Sequence, residues 1–162
     1  AAEMACIANR ALAKLVLIAP AGVWIDSLPI PDIFSMLPFE LAGVLFADPK
    51  HGEKFLTGGI DFGNPEALQQ FLVQNSRRLG TAGKILFPIP NRRVSKRLYR
   101  LTAPTLLVWG KADKLIAPPY ADRWQQLVPH ARLALVEAAG HMVPQEQPDA
   151  VAAEIERFLG GP

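Results

Sequence analysis

The sequence of 162 residues contains a single cysteine, Cys6, and only three histidines. A lone cysteine excludes an internal disulfide framework and fits a reducing compartment, so we expect a cytoplasmic protein. The scattered histidines and the one cysteine offer no metal-ligand spacing, and we therefore expect no metal site. Because no apolar run approaches the roughly 20 residues that cross a bilayer, no membrane-spanning segment is predicted.

The excess of positive over negative charge is also small, because 17 Lys and Arg are nearly balanced by 15 Asp and Glu, which gives a formal net charge of +2. The one local concentration of positive charge comprises Arg92, Arg93, Lys96, Arg97 and Arg100. Only Tyr99 interleaves these charges, whereas nucleic-acid grooves combine positive charge with several stacking aromatics. We interpret the cluster as the solvated face of a helix and expect no nucleic-acid partner.

Three short apolar runs predict buried strands, each bounded by proline or glycine: LVLI at 15–18, TLLVW at 105–109 and LALV at 133–136. Apolar strands without alternation are typical of a parallel sheet that is covered on both faces. Apolar residues at helical spacing over 120–128 and 149–159 predict a helix after each of the last two strands. The sequence therefore predicts an α/β fold with three parallel strands flanked by helices.

The segment at 24–100 is rich in proline and shows helical patterns at about 39–46, 65–78 and 92–101. Asn64 is a plausible N-cap for the second of these helices. A helical insertion of this size is too long for an ordinary connection. We expect it to pass over the carboxyl edge of the sheet, where α/β proteins bind ligands. The predicted division is a core at 1–23, an inserted helical cap at 24–100 with its lead-in helix, and a second core part at 101–162.

Two chemically distinctive side chains follow two of the predicted strands. Asp113 lies four residues beyond the strand that ends at Trp109, and His141 comes directly after Gly140, beyond the third strand. Each alone has an ordinary explanation, as a turn aspartate or as a structural histidine. One helix and one strand separate them, which makes their parent strands neighbours, so both loops can meet at one sheet edge. An aspartate that accepts from histidine Nδ1–H orients a general base, and this pair predicts catalysis with a nucleophile.

These residues resemble the C-terminal part of an α/β-hydrolase-fold enzyme. WGKADKLIAP resembles the acid loop, AAGHMVPQEQPDAVAAEIERFL the histidine loop and last helix, and AAEMACIANRALAKLVLIAPAG the helix behind the nucleophile with the next strand. The resemblance implies the triad order nucleophile, acid, histidine. It implies Asp113 as the acid, His141 as the base, a substrate-selecting cap and cofactor-independent hydrolysis of a small molecule. Asp26, after the first predicted strand, is the weaker alternative for the acid.

The departure from the family pattern is the missing nucleophile elbow: no G-x-S-x-G occurs, and Cys6 lies within the opening helix, which is predicted over residues 1–12. The resemblance implies a nucleophile upstream of Ala1. We therefore expect this chain to be part of a longer product and to be inactive alone, with one strand edge free to pair with a second copy. The competing hypothesis is a non-catalytic hydrolase fragment or interaction module.

For the parent enzyme we expect an ester-like or other small apolar substrate. A C–C bond hydrolase, a haloalkane dehalogenase and an epoxide hydrolase are alternatives on the same scaffold, with Tyr99 a weak candidate for the last. Phe34, Met142 and Val143 are predicted to contact the substrate. The apolar residues of the middle segment could line an apolar pocket or equally form the core of the cap helices: Phe34, Met36, Leu37, Phe39, Leu45 and Phe46.

Overall fold

Three parallel strands form the centre of the computed structural model, which describes residues 1–86 and 93–161. Strand β1 (Leu15–Ile18) pairs with β2 (Thr105–Gly110), and β2 pairs with β3 (Arg132–Val136). The strand order is therefore β1-β2-β3, and the three predicted strands and their parallel direction are confirmed.

The central strand β2 is buried along its whole length because helices and loops cover both of its faces. Leu107 and Trp109 point into one apolar cluster, and Leu106 and Val108 into the other, as the two-residue period of a strand requires. The prediction of a sheet covered on both faces holds for β2. It is wrong for β3, where Leu135 remains 45% exposed, because β3 is an edge strand of the described sheet.

The helices of the described ranges are α1 (Ala2–Ile7), α2 (Pro38–Leu45), α3 (Pro49–Thr57), α4 (Pro65–Leu86), α5 (Pro119–Leu127), α6 (Val143–Glu146) and α7 (Pro148–Gly160). The predicted helices at about 39–46, 120–128 and 149–159 are present with ends moved by a residue or two, the one at 65–78 extends to Leu86, and α3 and α6 were not predicted. Asn64 caps α4 as predicted, because its Oδ1 accepts hydrogen bonds from the N–H groups of Glu66 and Ala67. None of these helices is both long enough and apolar enough to cross a bilayer.

Two helix predictions are corrected. The opening helix, expected to run to Leu12, ends at Ile7 and continues only as a 3₁₀ turn at Asn9–Ala11. The helix expected at 92–101 is replaced by two 3₁₀ turns, Val94–Lys96 and Leu98–Arg100, while Arg92 lies outside the described residues. The backbone is non-helical at two residues of this segment: Arg93, with a φ of 52°, precedes the first turn, and Arg97, with a φ of −120°, separates the two turns.

The basic cluster is tied to the opening helix rather than being wholly solvated. Arg97, half-buried, forms an ion pair with Glu3 of α1. Val94 and Leu98, on the same two turns, are buried in the core, as the helical pattern had predicted for that face. Tyr99 is exposed and contacts Arg100. These contacts hold in place the segment that leads into β2.

The topology brings three loops to one edge of the sheet. The long connection between β1 and β2, here called the β1–β2 connection (residues 19–104), carries α2, α3 and α4. The loop after β2 leads to α5, and the loop after β3 leads to α6 and α7. Because the strands are parallel, all three loops leave from their carboxyl ends. The proposed boundaries at 23 and 100 and the pairing of a second copy with a strand edge stay predictions.

Candidate active site

Asp113 is held by its own loop. Its side chain is fully buried, and Oδ1 accepts hydrogen bonds from the N–H groups of Leu115 and Ile116, each at 2.9 Å. The ordinary interpretation of a turn aspartate is thus correct for one of its oxygens. The other oxygen, Oδ2, remains available for a partner outside the loop.

That partner is His141, whose Nδ1 lies 2.9 Å from Asp113 Oδ2. Because a carboxylate accepts hydrogen bonds and does not donate them, Nδ1 carries the proton and Nε2 presents its lone pair elsewhere. The His141 side chain keeps 21% of its surface exposed, whereas that of Asp113 keeps none. The geometry predicted from the two loops is confirmed: a buried carboxylate orients a partly accessible imidazole.

Backbone hydrogen bonds join the two loops independently of this pair. Ala112 N–H donates to Ala139 O, and Lys111 N–H donates to Val136 O, each at 2.9 Å. Inside the acid loop, the buried Trp109 indole N–H donates to Ile116 O at 2.7 Å. The positions of Asp113 and His141 therefore follow from the main chain, and the bond between them does not have to supply the alignment alone.

A cavity of about 360 Å³ opens beside His141. The loop after β1, the rest of the β1–β2 connection and the acid loop contribute its walls, which are almost wholly apolar. The lining residues are Ala19, Ala21, Gly22, Val23, Trp24, Ile30, Ile33, Leu45, Leu86, Leu115, Ile116 and His141. Among them only His141 has a titratable side chain, so the cavity suits an apolar ligand whose reacting group reaches the imidazole.

None of the three predicted substrate-binding residues lines this cavity. Val143 has no exposed surface, because it packs in the apolar cluster that contains Leu106 and Val108 of β2. Phe34 is half-buried near Gly83 of α4, and Met142 uses its N–H to bond Leu45 O at 3.1 Å. Of the other apolar candidates, Leu45 lines the cavity and Phe46 is a core residue, whereas the Phe39 side chain lies outside the described part.

Sequence reasoning missed most of the cavity wall. Leu115 and Ile116 stand within the acid loop itself, and an apolar pair inside an otherwise polar loop was the available signal. The segment Ala21–Trp24 carried no comparable signal. Its place depends on α5, where the Trp124 indole N–H donates to Pro20 O at 3.0 Å and the Tyr120 hydroxyl donates to Leu28 O at 2.6 Å.

The remaining candidates do not join the pair. Asp26 is exposed, and the carboxylate on His141 belongs to Asp113. Cys6 is buried on α1, and burial together with the nearby Glu3 charge raises the pKa of its thiol. His130 contacts Ala103 O, and His51 packs edge-on against Phe46. In the described part of the chain, no three His, Cys, Asp or Glu side chains are grouped to hold a metal ion.

The sequence model of the alpha/beta hydrolase family matches residues 1–154, and the chain therefore belongs to this family. This agrees with the resemblance drawn from the acid and histidine loops. The parallel sheet with its flanking helices is part of that fold.

The curated relatives carry the names of different kinds of hydrolase. The 2-hydroxy-6-oxononadienedioate/2-hydroxy-6-oxononatrienedioate hydrolase of Comamonas testosteroni is 24% identical over 85% of this chain and 50% of its own length. Lipase 3 of a Moraxella species is 29% identical over 60% of this chain and 32% of that protein. The chain spans between 23 and 50% of the length of these two proteins and of two further curated relatives.

Solved structures agree on the fold. The meta-cleavage product hydrolase CumD of Pseudomonas fluorescens IP01 superposes with a TM-score of 0.72 at 16% identity, over 98% of this chain and 60% of that one. A thermophilic esterase superposes with a TM-score of 0.59 at 15% identity, over 97% and 60% of the two chains. At these identities the likeness establishes the α/β-hydrolase fold and leaves the substrate open.

Proposed function

We propose that Asp113 and His141 are the acid and the base of a nucleophile–histidine–acid triad in a hydrolase of esters or other small apolar substrates. The observation that carries the proposal is the 2.9 Å contact between a buried carboxylate and an imidazole that lines an apolar cavity. Because the sequence contains no G-x-S-x-G, we assign the nucleophile to a segment that precedes Ala1, in the order typical of the family.

In the proposed mechanism, His141 Nε2 accepts the proton of the nucleophile's hydroxyl while the oxygen attacks the substrate's carbonyl carbon. Asp113 keeps its negative charge and stabilises the imidazolium through Nδ1–H. The imidazolium then donates its proton to the leaving group as the tetrahedral intermediate collapses to an acyl-enzyme. A water molecule, deprotonated by the same Nε2, attacks the acyl carbon, and the returning proton releases the nucleophile. No cofactor enters this cycle.

The substrate class follows from the cavity. Ile30, Ile33 and Leu45 of the β1–β2 connection and Leu86 of α4 close it on one side, which is the arrangement expected of a cap. Burying apolar substrate surface against such walls contributes about 25 cal/mol per Å². Excluding water at the same time strengthens the electrostatic contacts of the Asp113–His141 pair. We therefore propose a substrate with an acyl or aromatic group of modest size and no charge.

Cleavage of a C–C bond is the second candidate, favoured by the match to the Comamonas testosteroni hydrolase over 85% of this chain. The same pair of residues would serve this reaction. The name of that relative describes a dicarboxylic acid, whereas the described lining of the cavity contains no lysine or arginine to bind a carboxylate. The apolar wall thus favours the ester-like substrate.

The test uses the hydrolase that contains this chain together with its preceding segment. Activity on p-nitrophenyl esters of increasing acyl length is measured for the wild type, His141→Ala, Asp113→Asn and the matched control His130→Ala, an exposed histidine that does not line the cavity. Loss of the orienting carboxylate in a comparable triad lowers kcat by about 10⁴-fold, and we expect a similar loss for both site variants.

Two results would contradict the proposal. One is a His141→Ala variant that retains more than about a tenth of the wild-type kcat, since the triad members act as a unit. The other is a wild type that cleaves meta-cleavage dienoate substrates and not esters. That outcome would keep the triad and replace the proposed substrate by the C–C bond alternative.

A further inference from the structure

Glu146, at the end of α6, bonds two peptide N–H groups that lie on different loops. Its Oε1 accepts from Ala47 N–H and its Oε2 from Gly140 N–H, both at 2.7 Å. Gly140 immediately precedes His141, and Ala47 follows α2 of the β1–β2 connection. Hydrogen bonds to a carboxylate are shorter and about twice as strong as neutral ones, and both distances lie in that short range.

We propose that Glu146 is a positioning residue for His141, which it holds against the end of α2 through these two bonds. The three residues Glu146, Gly140 and Ala47 are here called the Glu146 clamp. The inference rests on the proposed function for its catalytic consequence. The clamp itself is a property of the chain and can be tested without activity.

Further contacts show how closely the histidine loop approaches residues 45–47 at the end of α2. Met142 N–H donates to Leu45 O at 3.1 Å, so the backbone just after His141 is also bonded to α2. A Cβ on Gly140 would lie 2.7 Å from Ala47 N, closer than real Cβ contacts, so only glycine permits this approach. The backbone is therefore tied to residues 45–47 on both sides of His141: Met142 N–H bonds Leu45 O directly, and Gly140 N–H is linked to Ala47 N–H through Glu146.

This arrangement connects the base to the substrate cavity. Leu45 lines the cavity beside His141, whereas Glu146 lies in a separate groove that it shares with Asp48 and His51. Because Glu146 does not line the cavity, we assign its effect on the reaction to the backbone that it holds. Without the clamp the histidine loop keeps its bonds to the acid loop and the Met142–Leu45 bond, but Gly140 loses its link to Ala47.

Amide hydrogen exchange followed by NMR tests the clamp in the hydrolase that contains this chain. Neither Gly140 nor Ala47 belongs to a helix or strand, so without the clamp both amides would exchange at loop rates. We expect both to be protected at least tenfold in the wild type, as bonds to a charged acceptor predict. Glu146→Gln should reduce that protection about tenfold or more at one or both amides while the β2 amide of Leu107 is unchanged. Loop-like exchange of both amides in the wild type would overturn the proposal.

Kinetics of the complete hydrolase test the consequence for His141. A carboxamide has the volume of a carboxylate but one acceptor oxygen, so it can satisfy only one of the two N–H groups. Because displacement of a catalytic group by about 1 Å can cost 10²-fold, we expect Glu146→Gln and Glu146→Ala both to lower kcat by about 10- to 100-fold, with KM within about threefold. Glu156→Gln, which removes the same charge from an exposed position on α7, is the matched control and should leave kcat unchanged.

The two proposals fail in different ways. If Glu146 only fills space, Glu146→Gln retains wild-type kcat while His141→Ala is inactive, and the positioning role is refuted while the triad stands. If His141→Ala is as active as the wild type, the triad fails, and with it the catalytic role of the clamp. The exchange experiment then still decides whether the clamp exists.

Discussion

Replacing Gly110 by alanine tests how tightly the acid and histidine loops are joined. Gly110 ends β2, and a Cβ built there would lie 2.2 Å from Gly140 O and 2.4 Å from Ala139 O. Both neighbours are backbone atoms, so no side-chain rotation can make room. Since ordinary contact begins at 3.4 Å, the nearer carbonyl has to retreat by about 1.2 Å.

The retreat has two consequences. Moving the Ala139 carbonyl weakens the 2.9 Å bond that it accepts from Ala112 N–H, and with the overpacking we expect a loss of about 3 kcal/mol. For a domain of this size that lowers Tm by roughly 6–12 °C. A shift of about 1 Å also stretches the Asp113–His141 contact beyond hydrogen-bond reach, so kcat of the complete hydrolase should fall about 10²-fold.

Thermal and urea unfolding of the wild type, Gly110→Ala and Gly80→Ala form the assay. Gly80 lies exposed on α4, where a Cβ meets nothing within 4 Å, so alanine there should raise stability by about 0.5–1 kcal/mol. The control shows that the chain tolerates an added methyl group as such. If Gly110→Ala melts within about 2 °C of the wild type and keeps its activity, the two loops are not in the contact described.

Three further predictions concern stability and reactivity. Lys14 donates from Nζ to the Phe158, Leu159 and Gly161 carbonyls at the end of α7. Lys14→Met should therefore lower the free energy of unfolding in urea by about 1–2 kcal/mol, and an unchanged midpoint would show that Lys14 does not cap this helix. Tyr120→Phe removes the hydroxyl bond to Leu28 O and should cost about 1–2 kcal/mol by the same assay, with no effect if the bond is absent. Burial raises the pKa of the Cys6 thiol and so lowers its thiolate fraction at pH 8. The folded protein should therefore react with a disulfide reagent at least about tenfold more slowly than the protein unfolded in urea, and equal rates would refute the burial.

The fold and the Asp113–His141 pair were predictable because their signals are local. Apolar runs of four or five residues bounded by proline or glycine indicate strands, and the lack of alternation indicates a covered parallel sheet. Parallel strands send their following loops to one edge, so Asp113 and His141 had to lie near each other once their strands were neighbours. Their separation of 2.9 Å is a consequence of that topology.

The residues that line the cavity were not predictable in the same way, because adjacency to His141 in the chain does not give direction in space. Met142 and Val143 follow the histidine directly, but α6 begins there and Val143 packs in the apolar cluster that contains Leu106 and Val108 of β2. The cavity wall comes instead from Leu115 and Ile116, and from residues of the β1–β2 connection that α5 holds in place.

The α/β architecture and the meeting of Asp113 with His141 at the sheet edge could thus be predicted, because apolar runs and the motifs that follow them are local signals. The shape of the cavity and the two hydrogen bonds of Glu146 could not, because they join segments far apart in the chain. In the sequence Glu146 is an ordinary acidic residue before a helix. Its partner Ala47 is 99 residues away, and no local periodicity records a hydrogen bond to the backbone of a distant segment.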